Sequence, residues 1–139
     1  RAAALVSERL EADHIRLDAL GRELAERVLA VPGVLLNGSS TERLQSIVNV
    51  SVEGVAGEAL VAAMQPIALA TGSACNSRDV APSFVLRALG RDDVLAGASL
   101  RFSLGRASTP SDVDIASTHF EAAVMRLRHM AGDLAQVMP

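Results

Sequence analysis

The sequence predicts an α+β domain in which a short, mostly antiparallel sheet packs in two layers against helices. Three observations point there. Val48, Val50 and Val52 alternate with Asn49 and Ser51, the period-two pattern of a half-buried strand. Ser99 to Leu104 repeats the pattern, with Leu100, Phe102 and Leu104 on one face and Arg101 and Ser103 on the other. Long segments at both ends space their apolar residues by three, four and seven, which is helical.

In chain order, residues 2–31 read as one helix, with Leu10, Leu17, Leu20, Leu24, Val28 and Val31 turned inward and acidic residues and arginines outward. Pro32-Gly33 ends it. Gly21 lies inside it at a cost of about 1 kcal/mol against alanine, which the length of the helix absorbs. Val34-Leu35-Leu36 is a short strand closed by the turn Asn37-Gly38-Ser39-Ser40. After the Ile47–Val52 strand, Gly54 and Gly57 bracket a turn. Glu58 to Gln65 is an alanine-rich helix stopped by Pro66, and Ile67 to Ala70 reads as a third strand. Pro82 opens another helix, with Phe84, Val85, Leu86 and Leu89 as its apolar side and Gly90 as the residue just past its end. Asp92 to Ala96 is a further helical turn. After the Ser99–Leu104 strand, Thr109 caps the last helix, with Pro110 at its first position and Asp112 completing a capping box. Its inward stripe is Val113, Ala116, Phe120, Ala123, Leu127 and Leu134.

The totals narrow the function. The 139 residues suit one domain, and 50% hydrophobic content is enough for a real core. Aromatics make up only 2%, so stacking of bases on aromatic rings is not expected, and a net charge of −3 provides no basic field. Direct nucleic-acid binding is therefore not expected. A single cysteine allows no internal disulfide and no cysteine-based zinc site, and no histidine pair has close metal spacing. His14, His119 and His129 read as solvent-facing. No apolar run is long enough to span a membrane and no signal-peptide pattern is present, so a cytoplasmic protein is expected. The chain opens at Arg1 and is helical at once, which suggests a piece of something longer. All thirteen basic residues are arginine. Without a lysine, no Schiff base can form on this chain. Several of these arginines are expected to pair with carboxylates at contacts.

Three residues are candidates for chemistry. Cys75 sits in Thr71-Gly72-Ser73-Ala74-Cys75-Asn76-Ser77-Arg78-Asp79, where its neighbours are small, polar or glycine. A lone cysteine is commonly an inert buried hydrophobe, but no Val, Leu or Ile lies within three residues of this one. The stretch 71–81 therefore reads as an exposed, pliant loop carrying a thiol. Thiolate chemistry needs a nearby positive charge or base, and Arg78 is the local candidate. Arg101, on the polar face of its strand beside small Ser103, has the fork geometry for a carboxylate; the plain alternative is a surface ion pair with a local acid. Asn49 has two readings too, a hydrogen bond to a ligand or the satisfaction of backbone groups.

These motifs together resemble one family. Ala70-Thr71-Gly72-Ser73-Ala74-Cys75-Asn76-Ser77 resembles the catalytic-cysteine loop of the group I cysteine desulfurases, usually Ser-Gly-Ser-Ala-Cys-Thr-Ser. Pro82 to Gly90 is similar to the helix that follows it. Ser99 to Arg106 resembles the family's Arg-Phe-Ser-Leu-Gly-Arg strand, and Ile47 to Val52 its Asn-Val-Ser strand. Order and spacing agree over nearly the whole chain. Asn76 stands where threonine is usual and Ala81 where an acid is common.

The resemblance implies the fold of class V aminotransferases. In that fold a large domain carries pyridoxal 5'-phosphate on a lysine and a smaller one carries the mobile cysteine. Residues 1–139 would be the small C-terminal domain, with the large domain absent and no cofactor bound by this part alone; the missing lysine agrees. By the same resemblance Arg101 holds the α-carboxylate of L-cysteine, and Asn49 is taken as a second substrate-binding residue. Cys75 takes the sulfur as a persulfide and alanine is released. The sulfur then passes to an acceptor protein for iron–sulfur clusters or RNA thiolation, and the whole enzyme is a homodimer. The alternative is a stand-alone, non-catalytic sulfur carrier or interaction module.

Overall fold

Alternating valines need an apolar layer to cover them, and two long helices provide it. The computed structural model describes residues 2–65, 67–71 and 83–137. Its elements are α1 (Ala2–Leu29), β1 (Val34–Leu36), β2 (Ile47–Val52), α2 (Gly57–Ala63), β3 (Ala70–Thr71), α3 (Phe84–Ala88), α4 (Asp93–Gly97), β4 (Ser99–Ser103) and α5 (Pro110–Val137). The strands form one antiparallel sheet in the order β1-β2-β4-β3. The α+β reading holds, with the alternation of β2 and β4 dividing the sheet into two unlike faces.

Val34, Val48, Val50, Val52, Leu100 and Phe102 are buried on one face, against Leu20, Leu24 and Val28 of α1 and Val113, Phe120 and Val124 of α5. Phe102 meets Phe120 edge to face, with ring centroids 5.7 Å apart at 83°. Such a pair adds about 0.5–1.5 kcal/mol beyond the area it buries. Arg27 joins the two long helices through Glu23 on its own helix and Asp114 on α5. Arg128 ties α5 to the turns beneath it, donating from Nη1 to the Pro32 carbonyl at 2.6 Å and from Nη2 to the Glu53 carbonyl at 2.8 Å. Arginines therefore serve carbonyls as well as the carboxylates expected of them.

At the start of α5 the capping box forms as expected. Asp112 N–H donates to Thr109 Oγ1 at 3.3 Å, and Thr109 N–H donates to Asp112 Oδ2 at 2.8 Å. The Thr109 hydroxyl, and then its backbone N–H, hold the Asp112 carboxyl below its ordinary pKa.

Several expectations need correction. Leu10 is 62% exposed. A 28-residue helix is about 42 Å long, more than twice the reach of a six-residue strand, so the sheet cannot cover Leu10. The first long helix ends at Leu29 rather than at residue 31, although Val31 is still buried. The third strand is only Ala70–Thr71, because Ile67 N–H turns back to the Met64 carbonyl. Of the apolar side expected on α3, only Leu86 is buried, while Phe84, Val85 and Leu89 are exposed; five residues turn only one such side chain inward. His119 is half-buried, its Nε2 2.9 Å from the Ala63 carbonyl, and is not solvent-facing. Leu134, Pro66 and Pro82 lie outside what is described of side chains or backbone.

Gly21 has a reason that helix propensity does not supply. A Cβ there would lie 2.0 Å from the Gln45 carbonyl oxygen. The loop before β2 is seated directly on the α1 backbone.

Candidate functional site

The second face of the sheet is largely polar, carrying Asn49, Ser51, Ser99, Arg101 and Ser103 with Leu35 and Ile47 among them. Residues directly opposite one another in an antiparallel pair share a face, and Asn49 is opposite Arg101. Arg101 is in turn opposite Ala70 of β3. On the other flank, Asn37 N–H donates to the Asn49 carbonyl at 2.8 Å. Asn37, just past the end of β1, thus extends a row formed by Asn49, Arg101 and Ala70 across the sheet. Two of the three candidates from the sequence are brought together here. Cys75 lies outside the described residues, and so does most of the 71–81 stretch; in sequence Cys75 follows Ala70–Thr71 by four residues.

The two ends of this face differ. Ser51 and Ser99 are fully covered, Asn49 is half-buried, and Arg101 and Ser103 are exposed. Among the described residues, no hydrogen bond or ion pair engages the Arg101 guanidinium. An arginine fork beside an amide on an open, polar sheet face suits a planar anion such as a carboxylate.

Asn49 is part of a network that the sequence analysis missed. Its Oδ1 accepts from Asn37 Nδ2 at 2.8 Å. Asn37 Nδ2 also reaches Ser51 Oγ at 2.9 Å, and Asn37 Oδ1 accepts from Arg91 Nε at 2.7 Å. Asn37 is buried, an unusual place for a residue that opens a polar turn. A signal existed: Asn37 follows an apolar strand, and Asn49 and Ser51 supply polar side chains on the neighbouring one. Arg91 carried none, because only a contact 54 positions away gives it a role.

The chain is matched by the aminotransferase class-V family model over residues 1–115. It belongs to that family. Class-V relatives include a "Cysteine desulfurase IscS" of Photobacterium profundum, 41% identical over 127 residues, covering 91% of this chain and 31% of the relative. One of Psychromonas ingrahamii is 40% identical over 127 residues, covering 91% and 32%. A solved NifS-like protein from Rickettsia africae ESF-5 shares the fold at a TM-score of 0.75 and 21% identity, over 88% of this chain and 32% of that one. This class-V chain spans about a third of the length of the curated relatives it matches.

The class-V family brings pyridoxal phosphate into question, and the residues here do not fit its anchoring. That cofactor is held as a Schiff base by a lysine amine, and all thirteen basic residues are arginine. An open depression of about 460 Å³ on α5, lined by Asp114, Ile115, Thr118, His119 and Ala122, includes none of the row residues. No helix among the described residues is long and apolar enough to cross a membrane.

Proposed function

We propose that this chain is the small, C-terminal domain of a cysteine desulfurase, residues 1–139, with pyridoxal phosphate held by a lysine in polypeptide outside it. Arg101 grips the α-carboxylate of L-cysteine with Asn49 beside it. Cys75 is the nucleophile. Its sulfur bonds to the substrate sulfur as the substrate carbon–sulfur bond breaks, so that Cys75 thiol and L-cysteine give a Cys75 persulfide and L-alanine. The persulfide then passes to an acceptor protein serving iron–sulfur cluster assembly or RNA thiolation. The whole enzyme acts as a cytoplasmic homodimer.

One observation carries the reading. The register sets Asn49, Arg101 and Ala70 side by side, and Ala70-Thr71 leads within a few residues to the chain's one thiol. A zwitterionic substrate held by its carboxylate at that row is oriented before reaction, and a segment of small residues suits a thiol that must visit both substrate and acceptor.

The test compares the isolated chain with the whole protein. Given pyridoxal phosphate and L-cysteine, the isolated chain releases no sustained sulfide or alanine. In the whole protein, Cys75→Ser abolishes persulfide formation and Arg101→Gln raises KM for L-cysteine. Sustained turnover by the isolated chain, or full activity of the Cys75→Ser protein, overturns the proposal.

A further inference from the structure

We propose that Arg91, acting through Asn37, sets the polarity of the Asn49 amide. Asn49 then offers its N–H groups, not its carbonyl oxygen, to the carboxylate beside Arg101. This rests on the reading of Asn49 and Arg101 as a carboxylate subsite.

The polarity follows from donor and acceptor chemistry. Arginine only donates. Arg91 Nε lies 2.7 Å from one end of the Asn37 amide, and Arg91 Nη2 lies 2.8 Å from the Leu36 carbonyl, which anchors the guanidinium. The end of Asn37 that faces Arg91 must therefore be the oxygen. The other end is the NH2, 2.8 Å from the Asn49 side chain, which must answer with its own oxygen. Ser51 cannot reverse this order. Its hydroxyl can donate or accept, and its Oγ lies 2.9 Å from Asn37 Nδ2 and 3.2 Å from Asn37 Oδ1. With the Asn49 oxygen turned toward β1, its NH2 is turned away from β1, and β4 with Arg101 lies on that side.

Arg91 reaches this position because of the way α3 ends. Gly90 takes φ 84°, its N–H donates to the Arg87 carbonyl, and Arg91 N–H donates to the Leu86 carbonyl at 3.0 Å. This is the Schellman closure that glycine allows, and it turns the chain so that the next side chain returns to β1. Asn37 and Ser51 are buried, so water competes little with the network. An Asn49 oxygen facing a carboxylate would repel it, whereas an N–H beside the Arg101 fork adds a second charge-assisted bond.

Asn37→Asp tests this without emptying the site. Aspartate still accepts from Arg91 and gains a charge-assisted bond, but it cannot donate to Asn49. Asn49 must then turn its NH2 to the new carboxylate and its oxygen toward Arg101. In the whole protein we expect KM for L-cysteine and the dissociation constant for L-alanine to rise roughly tenfold, with kcat within about twofold and Tm unchanged or raised. Arg91→Met, which frees the Asn37 amide to rotate, raises both constants by a smaller factor and serves if Asn37→Asp fails to fold. A purely structural network would move Tm and leave both constants alone. Native constants in a folded Asn37→Asp protein, with a raised KM in Arg101→Gln, overturn the polarity proposal and leave the proposed function standing. Native constants in Arg101→Gln remove the carboxylate subsite itself, and with it this proposal.

Discussion

The two faces of the sheet are built from the same strands by opposite rules. On the core face, Val48, Val50, Leu100 and Phe102 are interchangeable in kind; each contributes area, and any similar shape would keep the fold. On the polar face, Asn37 and Asn49, with Arg91 reaching them from the end of α3, are particular. Each depends on which atom faces which neighbour, and a change of one donor into an acceptor reverses the one after it. The difference teaches where stability and chemistry separate in a small domain. Non-directional burial holds the sheet, and its other side is left free for directional bonds.

The strongest way to test the separation is to damage the core face alone. Phe120→Ala removes a fully buried ring and its contact with Phe102. We expect a loss of about 3–5 kcal/mol in denaturant unfolding. The Asn37 and Asn49 side-chain amide signals in NMR should be preserved under folding conditions; their collapse at partial unfolding would show that the two faces are not independent.

A smaller effect sharpens the same contrast on α1. Propensity alone says that Gly21→Ala should stabilise a helix by about 1 kcal/mol. The seat of Gln45 on Gly21 says the reverse, a loss of about 1–3 kcal/mol from overpacking. A stabilised variant in thermal or urea unfolding would mean that the loop before β2 does not rest on this helix.

The smallest effect belongs to the capping box, which touches neither face. The folded-state pKa of Asp112 is depressed, first by the Thr109 hydroxyl and then by the Thr109 N–H. A depressed carboxyl stabilises the fold above its unfolded value, ordinarily about 4, and the contribution disappears as pH falls through the lower folded value. Asp112→Asn should therefore unfold slightly more easily than the parent at neutral pH, and the two should converge in acid. A gap in Tm that persists or widens in acid would rule out this assignment.

Much of the fold was legible in order along the chain, because the signals act over a few residues. The alternation of β2 and β4, the capping box at Thr109 and the stop at Gly90 are each complete within one element. Failures came where length or crowding decided. Leu10 has the right spacing but lies beyond the sheet, and Phe84 has the right neighbours in a helix too short to turn it inward. Of the candidate site, Asn49 and Arg101 were legible as polar residues on strand faces, but their juxtaposition was not.

The sequence by itself determined the α+β class, the two-faced strands, the single thiol at Cys75 and the lack of any amine to anchor a cofactor, since composition and short-range periodicity need no knowledge of distant contacts. Only the tertiary structure decided that Asn49 stands opposite Arg101, that Gly21 must lack a side chain and that Arg91 reaches Asn37. Register and close approach are set when remote segments meet, and hydrogen-bond direction has no meaning until both partners are in place.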